Sequence, residues 1–299
     1  MRRIPHYKSR DRGPLEFRSK LRREEGSIMS IIQKPVTTVQ LTTPIKRAAQ
    51  LMVKHRVRRL PVVDPGTQKL SGVLRSRDVI DFLGGGDKHK IIEKKFRGNF
   101  FAAVNKPVRS IISSKPVFGT SKMSIEDAVR HLLETGVGGF PVLDGNSRVL
   151  GMVSERNLIS HLPPAMGIPV SYYMSRHVVT VEPSLSIRDA ACRMISRRFR
   201  RLPVVVKRRI VGIVTTMDIL RYFGSSEVFR RMSSQSVEEA MAVTVQEIMT
   251  RDVLHVSPEV DIGEAATLMR EKGCGGIPVV SGEELAGIIT EHDLLRALV

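Results

Sequence analysis

The chain has no tryptophan and two cysteines, Cys192 and Cys274, in 299 residues. Two such thiols supply neither a disulfide framework nor a thiolate metal cage, which excludes a small stapled secreted fold. The eight histidines form no HxxxH or HExxH spacing, so no metal site is expected. No apolar run approaches the roughly 20 residues of a membrane-spanning helix, and the start at Met1-Arg2-Arg3-Ile4-Pro5 lacks a secretory apolar stretch, so a cytoplasmic location and no membrane partner are expected. Gly84-Gly85-Gly86-Asp87-Lys88 lacks the Walker spacing and its following Ser or Thr, and reads as a flexible joint. With no Gly-x-Ser-x-Gly elbow and no Cys/His nucleophile context, the chain reads as a non-enzyme. Acidic charge is also short, 30 residues against 48 Lys and Arg, leaving a net charge of +18 that points to a polyanionic partner. The 41% hydrophobic content still provides for a sizeable core.

What is present is self-similarity. Four segments read alike: Arg58-Arg59-Leu60-Pro61-Val62-Val63 then Gly72-Val73-Leu74; Gly138-Gly139-Phe140-Pro141-Val142-Leu143 then Gly151-Met152-Val153; Arg200-Arg201-Leu202-Pro203-Val204-Val205 then Gly212-Ile213-Val214; Gly275-Gly276-Ile277-Pro278-Val279-Val280 then Gly287-Ile288-Ile289. Proline leads glycine by nine to eleven positions each time. Each segment is an apolar run, a turn and a second apolar run, the pattern of a hairpin. A helix with a start signal precedes each hairpin, at Thr43-Pro44, Ser124 with Asp127, Ser186 with Asp189, and Asp261 with Glu264. Another helix follows, as at Met217–Tyr222.

The expected fold is therefore α/β (α+β), with a strand-helix-strand-strand-helix unit repeated over 28–86, 107–163, 170–224 and 245–299, after a basic extension at 1–27. The first and third units carry Arg-Arg before Leu-Pro, and the second and fourth carry Gly-Gly, which makes the chain a doubled pair. One unit is too small to cover both faces of its sheet, so neighbours should pack as two modules, with joints near 84–106, 163–169 and 224–245.

These four in-phase copies resemble tandem CBS domains paired as Bateman modules. From about Ile28 onward the chain is similar to the four-repeat γ subunit of AMP-activated protein kinase. The resemblance implies a non-catalytic regulator that binds an adenine nucleotide, AMP, ADP or ATP. In that family the segment Gly-h-h-Ser/Thr-x-x-Asp (h, apolar) holds an adenosyl ligand, the hydroxyl meeting phosphate and the carboxylate meeting the ribose hydroxyls. Thr215 and Asp218 match it in the third unit, and Thr290 and Asp293 in the fourth. The chemistry agrees, since a hydroxyl beside free backbone N–H groups favours an anion and a carboxylate accepts from two hydroxyls. The same spacing is also a helix capping box, so the residues alone leave both readings open. The second unit has Ser154 and Asn157, implying a weaker site. The first keeps Asp78 behind Arg75, which either clamps phosphate or fills the pocket. Arg58, Arg59, Arg200 and Arg201 stand where the kinase subunit sets basic residues against phosphates, a role suited to planar guanidinium groups. The alternative is a solvated basic strand end.

The positive charge is uneven. Between 245 and 299 ten acidic residues face four basic ones, so the excess lies elsewhere. It gathers in the extension (Arg2, Arg3, Lys8, Arg10, Arg12, Arg18, Lys20, Arg22, Arg23), the first joint (Lys94, Lys95, Arg97) and the third unit (Arg197, Arg198, Arg208, Arg209). The extension interleaves Arg with Tyr7 and Phe17 and resembles the tails by which ribosomal proteins thread rRNA, which makes RNA or the ribosome the expected partner. A solubilising tail is the alternative for the extension. A γ-like regulatory subunit, docking on a kinase or metabolic enzyme through a protein interface, is the alternative for the whole, and a homodimer is compatible with either.

Overall fold

The computed structural model describes residues 26–112, 115–225 and 236–298, together with 228, 230 and 234. Four antiparallel hairpins carry it: Arg59–Val63 with Leu70–Arg75, Gly139–Leu143 with Val149–Ser154, Arg201–Val206 with Arg209–Thr215, and Gly276–Ser281 with Glu284–Thr290. The repeated prolines hold one register throughout, Pro61 opposite Val73, Pro141 opposite Met152, Pro203 opposite Ile213 and Pro278 opposite Ile288.

Those prolines also shorten the strand expected ahead of each hairpin. In three repeats it is a single parallel bridge, Val39 to Val62, Val181 to Val204 and Val256 to Val279, and in the second it is Gly119–Thr120. Val39 donates to the Pro61 carbonyl at 3.0 Å and accepts from Val63 at 2.8 Å. The next rung toward the N-terminus would need an N–H on Pro61, which proline lacks.

Local capping follows the sequence with two corrections, the first being that Pro44 rather than Thr43 is the N-cap of the Ile45–Lys54 helix, while the Thr43 hydroxyl accepts from the Gln40 N–H at 3.0 Å. Ser124 with Asp127 forms the expected box, and Ser186 caps through the Asp189 N–H. Asp261 does not pair with Glu264. Its carboxylate instead accepts from the backbone of Gly263, Met166 and Ile168 at 2.7, 2.9 and 3.1 Å, so it ties the second joint to the fourth repeat.

Backbone bonds join the first repeat to the second and the third to the fourth. Gln33 and Met152 exchange both bonds at 2.8 and 3.2 Å, Thr250 and Ile213 at 3.0 and 2.9 Å, and Ser175 and Ile288 at 2.9 and 3.0 Å. These pairings leave the apolar helix faces uncovered within each module, so they are buried across modules. One core unites Ile45, Met52 and Leu74 of the first repeat with Ile187, Met194 and Val214 of the third. The other unites Leu132, Phe140 and Val153 of the second with Ile262, Met269 and Ile289 of the fourth. These shared apolar faces hold the two modules to each other, at about 25 cal/mol per Å² of apolar surface removed from water, while the backbone bridges join the repeats within each module. The four repeats form a closed cycle.

Gly84-Gly85-Gly86 is a packing device rather than a flexible joint. It ends a turn of π-helix over Asp81–Gly85 and lies buried against the Ile187–Ser196 helix, where a Cβ on Gly85 would come within 2.8 Å of Ile195 and 3.1 Å of the Ala191 carbonyl. Among the described residues no helix is long and apolar enough to cross a membrane, and no group of three His, Cys, Asp or Glu could hold a metal ion.

Candidate functional site

Each second hairpin strand runs into a short helix whose first residue points to the middle of the molecule. These residues are Ser76, Glu155, Thr216 and Glu291, all buried. Ser76 Oγ and Thr216 Oγ1 lie 3.4 Å apart. A buried carboxylate needs compensating partners, and each glutamate draws both from the other module, one from the repeat that shares its core and one from the diagonal repeat. Glu155 accepts from Arg200 at 2.8 Å and from His292 Nδ1 at 3.0 Å. Glu291 accepts from Arg58 at 3.1 Å and from Arg156 Nε at 2.8 Å. The pseudo-symmetry is complete: the residue after each glutamate, Arg156 or His292, reaches the glutamate of the other module.

These partners set the protonation states. Burial opposes charge on Glu155, yet Arg200 and the His292 hydrogen bond outweigh it and hold the carboxyl below the usual carboxylate range. Burial likewise opposes charge on Glu291, and Arg58 and Arg156 lead the cations that hold it down. The Glu155 hydrogen bond raises His292.

The alternation of Arg-Arg and Gly-Gly now has a physical reason. A Cβ on Gly138 would collide with the guanidinium groups of Arg200 and Arg59, and one on Gly275 with Glu291 Oε2 and Arg58. A Cβ on Gly276 would strike Arg201. The glycine pairs of the second and fourth repeats are therefore the seats for the arginine pairs of the first and third. Arg58 and Arg200 cross to the opposite module, while Arg59 and Arg201 stay within their own. Arg59 and Arg201 form no salt bridge among the described residues, although Glu155 and Glu291 act on Arg59 and Glu291 on Arg201 from a distance. Burial, and then the neighbouring Arg200 and Arg58, push each down to about 9.

Two clefts open onto this cluster, of about 420 and 440 Å³, within the range of small-molecule sites. The 420 Å³ cleft brings Thr290 and Asp293 together with Val178, Val179 and Pro203 of the third repeat and with all four arginines, Arg58, Arg59, Arg200 and Arg201. The other brings Thr215 and Asp218 together with Val253, Leu254 and Pro278 of the fourth repeat and with Arg58, Arg200 and Arg201. Each cleft thus has a carboxylate end, an apolar wall from the partner repeat and a cationic end.

The capping box and the cleft carboxylate coexist. Asp218 Oδ2 accepts from the Thr215 N–H at 2.8 Å and its hydroxyl at 2.6 Å, and Oδ1 accepts from the exposed Arg221 at 2.8 Å. Asp293 Oδ2 makes the same two bonds to Thr290, at 2.9 and 2.6 Å. Its Oδ1 has no partner among the described residues, and burial raises its carboxyl. In the second repeat Asn157 Oδ1 accepts from the Ser154 N–H and hydroxyl at 3.0 and 2.6 Å.

In the first repeat the pocket is filled from within. Arg75 meets both oxygens of Asp78 at 2.9 and 2.8 Å, and Lys88 adds a 2.6 Å bond, so Asp78 has no acceptor left for a ribose. Of the two readings of Arg75 left by the sequence, filling is the one observed.

The basic clusters divide. Arg208 bonds Glu284 at 3.0 Å and Arg209 bonds Glu283, so the basic turn of the third repeat is matched by the acidic turn of the fourth and is not a free cationic face. Arg198 lines the first cleft and Arg197 is exposed beside it. Lys94, Lys95 and Arg97 are exposed on and after the Lys90–Phe96 helix. Arg2, Arg3, Lys8, Arg10, Arg12, Arg18, Lys20, Arg22 and Arg23 lie outside the described residues. The residues that sequence reasoning missed are Glu155, Glu291, Arg156 and His292. Their shared positions, first and second after the Ser154 or Thr290 hydroxyl, were the available signal.

A family model described as CBS domain matches residues 28–85, 108–164, 170–225 and 245–299. Over 273 residues the chain is 35% identical to an uncharacterized protein of Methanocaldococcus jannaschii, covering 90% of this chain and 98% of that one. The crystal structure of that protein, described as a proposed archaeal homologue of γ-AMPK, matches with a TM-score of 0.86 over 91% of this chain and 100% of its own. An uncharacterized 33.4 kDa protein in a ribosomal RNA operon of Thermofilum pendens is 31% identical over 88% of both chains. An uncharacterized conserved protein of Pyrococcus horikoshii, 22% identical, shares the fold at a TM-score of 0.58, over 91% of this chain and 100% of that one.

Proposed function

This chain belongs to the CBS domain family, and from that premise we propose that it is a non-catalytic regulatory protein that senses adenine nucleotides in the two clefts of its second module. The observation that carries the reading is Asp293: a buried carboxylate with one oxygen unpartnered among the described residues, at one end of a cleft whose other end is a group of guanidiniums. Ribose hydroxyls satisfy the carboxylate, Val178, Val179 and Pro203 take the adenine, and Arg200, Arg201, Arg58 and Arg59 take the phosphates through charge-assisted bonds. Thr215 and Asp218 form the second site, which opens when Arg221 leaves Asp218. Ser154 and Asn157 form a weaker one, and Asp78 none while Arg75 holds it. The M. jannaschii relative described as a γ-AMPK homologue supports a regulatory subunit of this kind.

Calorimetric titration of the full chain with AMP, ADP and ATP tests the site. Asp293→Ala should weaken binding at least about tenfold, the value of one hydrogen bond to a charged group. No saturable heat with any of the three nucleotides overturns it.

The regulated partner in this reading is RNA, engaged through the 1–27 segment and the exposed Lys94, Lys95 and Arg97. The net charge of +18 favours it. Binding through several phosphates should fall steeply between 50 and 200 mM salt, on the order of 10³-fold for six or more contacts. A nearly salt-independent partner would instead identify a γ-like protein interface.

A further inference from the structure

The Asp293 cleft is lined by residues of all four repeats, among them Arg75, Ser76 and Arg77 at the start of the first repeat's second helix, Arg59, and Arg198 of the third repeat. Arg77 and Arg198 are close enough for each to disfavour the other's charge. We propose that this part of the cleft is a separate oxyanion site, built by Arg59, Arg77 and Arg198 with Arg75 behind them, and that it takes a phosphoryl group such as pyrophosphate. The proposal goes beyond the nucleotide reading and survives its failure, because Arg77 and Arg198 take no part in that reading and only Arg59 is shared with it.

Three observations converge. Asp78, the carboxylate that would seat a ribose here, is closed by Arg75 and Lys88. This part therefore offers donors and no free acceptor of that kind. Arg59 and Arg198 form no salt bridge among the described residues, and Arg77 uses one N–H on the Ile195 carbonyl at 2.9 Å. The carboxylates that act on these groups, Glu155 and Glu291 on Arg59 and Asp78 and Asp81 on Arg77, do not balance them, since burial followed by the proximity of Arg75 and Arg198 still holds Arg77 below its ordinary value; a polyanion relieves the remaining excess. Finally, Arg198 has a left-handed backbone, φ 59°. At the matching turn the first repeat uses Arg56, φ 52°, and the second and fourth use Gly136, φ 64°, and Gly273, φ 65°. Of the two arginines only Arg198 lines this cleft, and a glycine would satisfy the turn without strain, so the Arg198 charge can be removed there without disturbing the backbone.

The same chemistry has two sources, a free phosphoryl anion or the terminal phosphates of a nucleotide seated at Asp293. Arg198→Gly separates a binding role from a folding role, because glycine suits the turn and should leave the melting temperature equal or higher. Full-length protein, Arg198→Gly, Arg77→Gln and Asp293→Ala are titrated with pyrophosphate, AMP and ATP. The site predicts at least about tenfold weaker pyrophosphate binding in Arg198→Gly and Arg77→Gln, with Asp293→Ala unchanged. A loss seen for ATP alone, with AMP unaffected, keeps the site and assigns it to the nucleotide's own phosphates. Pyrophosphate and ATP affinities both unchanged in Arg198→Gly and Arg77→Gln overturn the site, whatever Asp293→Ala does to AMP.

Discussion

Replacing Glu155 by Gln is the sharpest probe of the central network. The side chain is buried and holds Arg200 at 2.8 Å and His292 at 3.0 Å, so the substitution keeps its shape and one acceptor but removes its charge. Stripping one partner from a buried pair costs about 3–5 kcal/mol. Arg200 retains 24% side-chain exposure and Gln still accepts a hydrogen bond, which brings the expected loss to about 2 kcal/mol. For a chain of this size that is roughly 4 °C in melting temperature. The pH profile carries a second signature. Glu155 sits below its ordinary value of 4.5 when folded, so its contribution is complete above that pH and is lost as pH falls through the folded value. His292 sits above its ordinary 6.5, so its contribution is complete below that pH and is lost as pH rises through the folded value. Wild-type stability from this pair is greatest between about 4.5 and 6.5 and declines on both sides, whereas Glu155→Gln flattens both limbs. Urea unfolding from pH 4 to 8 reads both effects, and Glu155→Gln with Arg200→Met should recover part of the loss, because the Arg200 guanidinium is then not left without its carboxylate. A Glu155→Gln protein with wild-type stability and a wild-type pH profile refutes the account of the network.

Gly138→Ala and Gly275→Ala should each displace a seated guanidinium and lower stability by about 1–3 kcal/mol, measured by thermal unfolding, while Gly145→Ala, whose Cβ would meet nothing within 4 Å, should not. Asp293→Asn should raise stability at pH 7 by about 1 kcal/mol, because burial raises this carboxyl and its charged form is unfavourable when no ligand is bound; the gain should vanish as pH falls and the wild-type group protonates. Arg75→Thr with Lys88→Ala recreates the hydroxyl and frees Asp78 in the first repeat, and calorimetry should then count one more nucleotide site than in the wild type.

The hairpins were legible because a proline and a glycine at fixed separation set the same register four times, from Pro61 opposite Val73 to Pro278 opposite Ile288. The capping box at Ser124 and Asp127 was local and therefore equally readable. What escaped was long-range. The Arg-Arg and Gly-Gly alternation was visible as a pattern, but its cause is a contact between residues far apart in sequence, Arg200 over Gly138 and Arg58 over Gly275. Glu155 and Glu291 were hidden by their position inside a capping motif whose conspicuous residues are the hydroxyl and the carboxylate around them. Gly84-Gly85-Gly86 misled for a related reason, since a glycine run that permits close helix approach and one that permits motion have the same composition.

The most direct test is a crystal structure of the full chain with AMP bound. The account predicts a ribose hydroxyl within hydrogen-bond distance of Asp293 Oδ1 and the phosphate on Arg200 and its arginine neighbours. AMP seated elsewhere, with Asp293 Oδ1 free of the ribose, would contradict it.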